Sequence, residues 1–237
     1  KSKILFCIHD PKPHDSIDEQ GFLKKRIHSF QISRAHATLS FSRAVQVELR
    51  TGFKLGLLPE IPLENIPQFR TGDRNHYVVF GRIHPYKNTE WLSENWAEIT
   101  KNLENEELHI YGHATRQIVG ERVKHFNQIF SRSELLEKLS SYRCTILPHV
   151  NVSQSGSLLF AFSGSLSAVT SDFNGFREYQ PEGSQYFDPF NKEDLARILE
   201  YRVSNNLDNQ LGVRARNHLD SLIIRSKTDL KNILETL

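Results

Sequence analysis

Apolar runs of strand length recur along this chain, separated by stretches whose apolar residues return at helical spacing. That alternation is what most limits its fold. The runs are 3-KILFCIH-9, 37-ATLSFS-42, 77-YVVFG-81, 107-ELHIYG-112, 144-CTILP-148 and 168-AVTS-171. Between the third and fourth, Thr89 to Leu103 sets Leu92, Trp96, Ile99 and Leu103 at helical spacing. A helix over 131-SRSELLEKLSSY-142 opens with a capping box, Ser131 and Glu134. Asn191 with Asp194 makes a similar polar start before Leu195, Ile198 and Leu199, and 213–237 reads as one or two helices. Short strands alternating with helices predict an α/β protein with a parallel sheet.

The chain has 237 residues, enough for one large domain or two smaller ones. The segment 51-TGFKLGLLPEIPLENIPQFRTGDRN-75 is rich in Gly and Pro and weak in periodicity, and its second half reads as a linker. Residues 71–212 then hold several β-α steps, enough for a complete nucleotide-binding-type domain, and 213–237 follow as C-terminal helices. Residues 1–70 carry two convincing strands and read as the remnant of a second domain. The chain contains no methionine and enters a strand almost at once, so we expect it to lack the start of that domain.

Composition removes several classes of function. With 38% apolar and 24% charged residues the chain has the make-up of a soluble globular protein with a real core. A formal net charge of +2 is too small to imply nucleic acid. No apolar run approaches the roughly 20 residues that span a bilayer, and no signal-peptide pattern opens the chain. Cys7 and Cys144 both fall in strand-like runs, which predicts two buried thiols in a reducing cytoplasm rather than a disulfide framework.

Ligands of an open α/β sheet bind outside the carboxyl ends of its strands, so the loops that follow the last four runs should converge. They are 81-GRIHPYKN-88, 112-GHA-114, 148-PHVNVSQSGS-157 and 172-DFNGFRE-178. Arg82 and Lys87 bring two cations, 153-SQSGS-157 brings a helix start rich in Ser and Gly, and the last loop brings a carboxylate. Such a set suits a diphosphate and a sugar. Helix N-terminal amides favour negative charge, serine hydroxyls add donors, and the Arg fork and Lys point charge clamp phosphate oxygens. Taken singly, each piece has a plainer reading. Arg82 and Lys87 are solvated loop charges, Gly156 is a turn glycine, and His9 is a histidine bonded at a strand end. Their shared position at one sheet edge is what raises the functional reading.

In this order, GRIHPYKN, LHIYGHA, LPHVNVSQSGSLLFA and SDFNGFRE resemble the C-terminal domain of glycosyltransferase family 4, a GT-B fold family. The resemblance is to the branch whose third loop reads "LPY…TQSG…A", and 3-KILFCIHD-10 with PKPH is similar to that branch's "vHdP.pH" segment. It implies a complete C-terminal Rossmann-like domain with a parallel sheet, beside a partial N-terminal Rossmann-like domain. It further implies that Arg82 and Lys87 hold the donor diphosphate, and that Gly81, Gly112 and His113 lie near the nucleotide. Gln154, Ser155, Gly156 and Ser157 would cradle the distal phosphate and sugar, with Glu178 in the loop after the fourth strand. His9 would face the transferred sugar from the first domain. The implied reaction moves a sugar from a UDP- or GDP-linked donor to a glycan or lipid-linked acceptor, with retention, in polysaccharide synthesis. No metal or other cofactor is implied.

The match has gaps. Where much of that family has a Glu-x7-Glu pair, this chain has Val152 and Phe160. Its Gly-x-Pro is 165-SLS-167, ending on Ser167, and its glycine pair is Asn174-Gly175. These departures motivate an alternative, a non-catalytic scaffold on the same fold; a nucleotide-sugar epimerase is a third reading. The basic stretch 24-KKRIHSFQISR-34 offers Lys24, Lys25 and Arg26 to an anionic membrane surface, although a solvated helix face is the commoner meaning of such a run.

Overall fold

A computed structural model of the protein describes residues 4–8, 34–35, 37–43, 45, 53–54 and 74–236. The chain divides into two compact units, Lys1–Pro59 with Ser221–Leu237 and Glu60–Asp220.

In the first unit, strands β1 (Leu5–Ile8), β2 (Ala37–Ser40) and β3 (Phe53–Lys54) form a parallel sheet in that order. Leu39 and Phe41 pack with Leu5 and with Leu230 and Ile233 near the chain's end. Cys7 is exposed, against the expectation of a buried thiol, because its strand has only β2 beside it in the described sheet; Cys144 is buried. His9, Lys24, Lys25 and Arg26 lie outside the described residues.

In the second unit, six strands run parallel: β4 (Tyr77–Phe80), β5 (Leu108–Tyr111), β6 (Val123–Phe126), β7 (Cys144–Leu147), β8 (Ala168–Ser171) and β9 (Tyr186–Phe187). Their order across the sheet is β6-β5-β4-β7-β8-β9. The chain therefore builds outward from β4 on one side, then returns to build outward on the other. In such doubly wound sheets the reversal opens a crevice beyond the carboxyl ends of the two central strands, here β4 and β7.

From residue 74 onward the helices are α1 (Thr89–Ile99), α2 (Arg132–Leu139), α3 (Gly156–Ser163), α4 (Asn174–Arg177), α5 (Lys192–Ser204) and α6 (Asp208–Thr236). Burial on both faces explains why the central strands are mostly apolar. Tyr77 and Val79 turn to one face, with Leu92, Trp96 and Ile99 of α1 and Leu195 and Leu199 of α5. Val78 and Phe80 turn to the other, with Leu135 and Leu139 of α2 and Ala161 of α3. The expected caps form. Ser131 accepts from the Glu134 N–H while Glu134 accepts from the Ser131 N–H, and Asn191 accepts from the Asp194 N–H at 2.9 Å. Helix α1 stops at Ile99, short of the expected Leu103, where Arg122 donates to the carbonyls of Ala97 and Leu103 at 2.8 and 3.3 Å. Such a cation satisfies carbonyls that the helix end leaves open.

A buried ionic network ties the turn before β5 to β7, α5 and α6. Arg143 bonds Glu106 at 2.7 Å and Asp208 at 3.0 Å, and Arg202, 1% exposed, pairs with Asp208 at 3.4 Å. Arg202 also donates to the Ser167 hydroxyl. The serine at the last of the three positions that depart from Gly-x-Pro thus has its own structural use.

Candidate functional site

All four loops emerge at the carboxyl ends of β4, β5, β7 and β8. Strand β4 is followed at once by Gly81, whose φ of +93° lies where side chains bring strain. A Cβ placed there would sit 3.3 Å from Lys87 Nζ and 3.5 Å from Ser157 Oγ. Side chains from the loops after β4 and β7, the two sides of the crevice, thus close over one bare stretch of backbone. Behind it, a Cβ at Gly112 would lie 2.1 Å from the Gly81 carbonyl oxygen. The two strand ends touch at a distance that only glycine permits.

Lys87 ends a single 3-10 turn, Pro85–Lys87, and is 7% exposed. Among the described residues its ammonium has no hydrogen-bonding or ion-pair partner. Burial, and then the nearby Arg82 charge, lower its pKa to about 8. An ammonium on a largely buried side chain with no partner is partly desolvated at a cost, and an incoming anion would relieve that cost. Arg82 itself is exposed. The two cations therefore differ, one seated inside and one at the rim.

At the start of α3, Ser155 is buried and its hydroxyl oxygen accepts from the Leu158 N–H at 3.3 Å. It is the helix cap first and keeps only its hydroxyl proton for a ligand. Gly156 is exposed, with nothing within 4 Å of a Cβ placed there. No packing inside the protein calls for glycine at that position. Gln154 is 9% exposed, and neither its amide nitrogen nor its amide oxygen has a hydrogen-bond partner. Buried amides without partners are rare, and both atoms belong to the loop expected to hold a sugar and phosphate.

Beside this cluster lies a cavity of ≈ 450 Å³, within the usual range of small-molecule sites. Gly81 and Arg82 line it from the first loop, and Gly112 and His113 from the second. Its other wall is 128-QIF-130 with Tyr111, whose ring stacks on Phe126 at 4.6 Å. Asn127 fixes the second loop: its side chain accepts from the Ala114 N–H at 2.9 Å, donates to the Ala114 carbonyl at 3.1 Å, and meets His113 Nδ1 at 3.2 Å.

The structure thus gathers Gly81, Lys87, Gly112 and Ser157, sets Arg82 and His113 on the adjoining cavity, and places Gln154, Ser155 and Gly156 at the helix start. Glu178 follows α4, half-buried, and joins neither the cavity lining nor the cluster over Gly81. Gly175 has a packing role instead, since a Cβ there would lie 2.4 Å from the Val152 carbonyl oxygen. Val152 is buried, and the half-buried Phe160 sets its ring tilted against Phe80 at 5.6 Å, at the margin of the core. Sequence reasoning missed Asn127 and the wall at 128–130, which follow an edge strand that it did not find.

No curated protein sequence matches the chain. Among solved structures, TarM aligns with a TM-score of 0.77 at 16% identity, over 99% of this chain and 50% of TarM. A variant of Staphylococcus aureus TarM crystallised with fondaparinux, alpha-GlcNAc-glycerol and UDP aligns at 0.73 and 15%, over 94% of this chain and again 50% of that one. HepE of Anabaena, in complex with UDP and glucose, aligns at 0.70 and 14%, over 99% of this chain and 71% of HepE. The chain therefore spans half the length of the TarM structures, and it shares with these proteins a fold of the GT-B type. No helix among the described residues is long and apolar enough to cross a membrane. The model of the family "Glycosyl transferases group 1" matches residues 74–205, more than half of the chain and the whole of the site just described, so the chain belongs to that family.

Proposed function

We propose that this chain carries the donor site of a retaining glycosyltransferase, which moves a hexose-type sugar from a UDP- or GDP-linked donor to a glycan or lipid-linked acceptor. One observation carries the reading: the largely buried Lys87, its ammonium unpartnered among the described residues, stands with Ser157 over the bare backbone of Gly81. A diphosphate seated there would receive Lys87, the Ser157 hydroxyl and the first amides of α3, with Arg82 at the rim. The free carboxamide of Gln154 would meet a sugar hydroxyl or phosphate oxygen. As the glycosidic bond breaks, negative charge grows on the departing diphosphate, and preformed donors stabilise it without reorganising. Holding donor and acceptor together supplies the rest. Lys87 and Arg82 provide the positive charge in this scheme, so it calls on no metal. His9, outside the described residues, keeps the role of touching the transferred sugar. The TarM variant and HepE are both in complex with UDP and with sugars, which favours a uridine donor. Cell-surface polysaccharide synthesis in the cytoplasm, at the inner membrane face, is the setting that fits.

The test is turnover of UDP- and GDP-sugars by the full-length protein, with oligosaccharide and lipid-linked acceptors, followed by NMR of the anomeric proton. A new glycoside with the donor's configuration supports the reading. An isomerised sugar nucleotide would mark an epimerase, and no turnover of any donor would favour a scaffold.

A further inference from the structure

At the opposite end of the same strands, the parallel register sets Tyr77 beside Leu108, which brings His76 beside Glu107. His109, two residues along β5, shares Glu107's face of the strand. One ligand atom from each of His76, Glu107 and His109 lies within 4.8 Å of the others. Glu107 Oε2 is the centre of the group, 2.9 Å from His109 Nε2 and 3.7 Å from His76 Nε2. Ligand atoms around a tetrahedral zinc at its usual bond lengths stand about 3.3 Å apart, so the two spacings to Glu107 need only small adjustment, and the two imidazole nitrogens, within 4.8 Å of each other, close by rotation of the rings. We propose that His76, Glu107 and His109 bind a divalent transition-metal ion of the zinc type.

The surroundings fit that use. His109 Nδ1 meets the Tyr142 hydroxyl at 2.7 Å, and that hydroxyl meets Tyr111's at 2.8 Å. An outer partner of this kind fixes the ring and turns its other nitrogen to the metal. His76 sits at φ 61°, in the left-handed region, and donates its N–H to Glu106 at 2.9 Å. The backbone is thus already bent to present this ring. The three side chains are 32%, 26% and 13% exposed, so an ion can reach them from solvent. Two imidazole nitrogens and one carboxylate select zinc, nickel, cobalt or copper over magnesium or calcium, and leave a position for water. A cation already stands there, because Lys124 Nζ lies 2.6 Å from Glu107 Oε2.

Loading displaces that half-exposed lysine. It also costs His76 the bond that its Nδ1 accepts from the Glu107 N–H at 3.1 Å, since a ring accepting there carries its proton on Nε2. Lys124 is exposed, so water can solvate its ammonium once it is displaced. The inference is independent of the sugar-transfer reading.

Titration with zinc chloride against a chromophoric chelator, and with cobalt chloride by visible absorption, tests it. We expect about one equivalent bound with micromolar affinity, and cobalt bands of a four- or five-coordinate site. His76→Asn keeps a residue that tolerates left-handed backbone, and Glu107→Gln keeps the shape. Each should weaken binding by about tenfold or more while thermal melting confirms a folded chain. Absence of zinc binding at about 100 μM, or both variants binding as wild type does, overturns the proposal and assigns any bound metal to other histidines.

Discussion

Lys87 shows how position changes what one charge can do. On the sequence it and Arg82 look like equivalent loop cations, and nothing in their spacing says which is buried. Folding seats Lys87 in the interior and leaves Arg82 outside, and burial lowers the lysine's pKa from about 10.5 to about 8. Two opposite pH effects should follow. Between about 8 and 10.5 the unfolded chain binds the lysine's proton and the folded chain does not, so the stability contribution of this group rises with pH across that window. A diphosphate favours the charged form, so nucleotide affinity should be full below pH 8 and decline as pH rises through it. In Lys87→Arg, which stays charged throughout, that decline should vanish; titrations at pH 7 and 9 decide it. The same scale shows what composition hides. Ser155 was legible as a hydroxyl at a helix start, but its use as the cap was not. Gln154's lack of partners can be seen only once the interior is filled.

Among the strands of the second unit, those buried on both faces were the legible ones. Strands β4, β5, β7 and β8 announce themselves because both their faces are largely buried. Strand β6 alternates half-buried Val123 and His125 with exposed Lys124 and Phe126 at the sheet edge, and β9 is two residues long. Neither carries a run that stands out, and missing β6 hid Asn127 and the wall of the cavity behind it. The touching ends of β4 and β5 give a prediction at this scale. In Gly112→Ala the new Cβ meets a carbonyl oxygen, not a movable side chain, so the strand ends must separate. We expect a stability loss of about 1–3 kcal/mol in chemical denaturation, together with weaker nucleotide binding because Gly81 moves with them. Unchanged binding in a folded variant would mean that the contact is not needed for the site.

Across the whole molecule, the strand order puts Lys87 and Ser157, 70 positions apart in the chain, over the same glycine at the reversal point of the sheet. The β-α alternation foretold the crevice and its four loops. It could not foretell that the last helix would run unbroken from Asp208, nor that its end from Ser221 would belong with the first unit, since a helical pattern does not say which core it joins. The Arg143–Glu106 and Arg202–Asp208 pairs were equally invisible, their members being ordinary surface types. Their burial predicts that Arg202→Met, which takes one partner from Asp208 and one from Ser167, costs about 3 kcal/mol in urea denaturation. A cost under about 0.5 kcal/mol would place the pair among surface bridges.

The central claim is that Lys87 and the start of α3 form a seat for a nucleotide diphosphate. Calorimetric titration of the chain with UDP and GDP, repeated on Lys87→Met, tests it most directly. One nucleotide should bind, and the substitution should weaken it by about tenfold or more, the worth of a charge-assisted contact. Binding that Lys87→Met leaves unchanged, or no binding of either nucleotide by the folded chain, would contradict it.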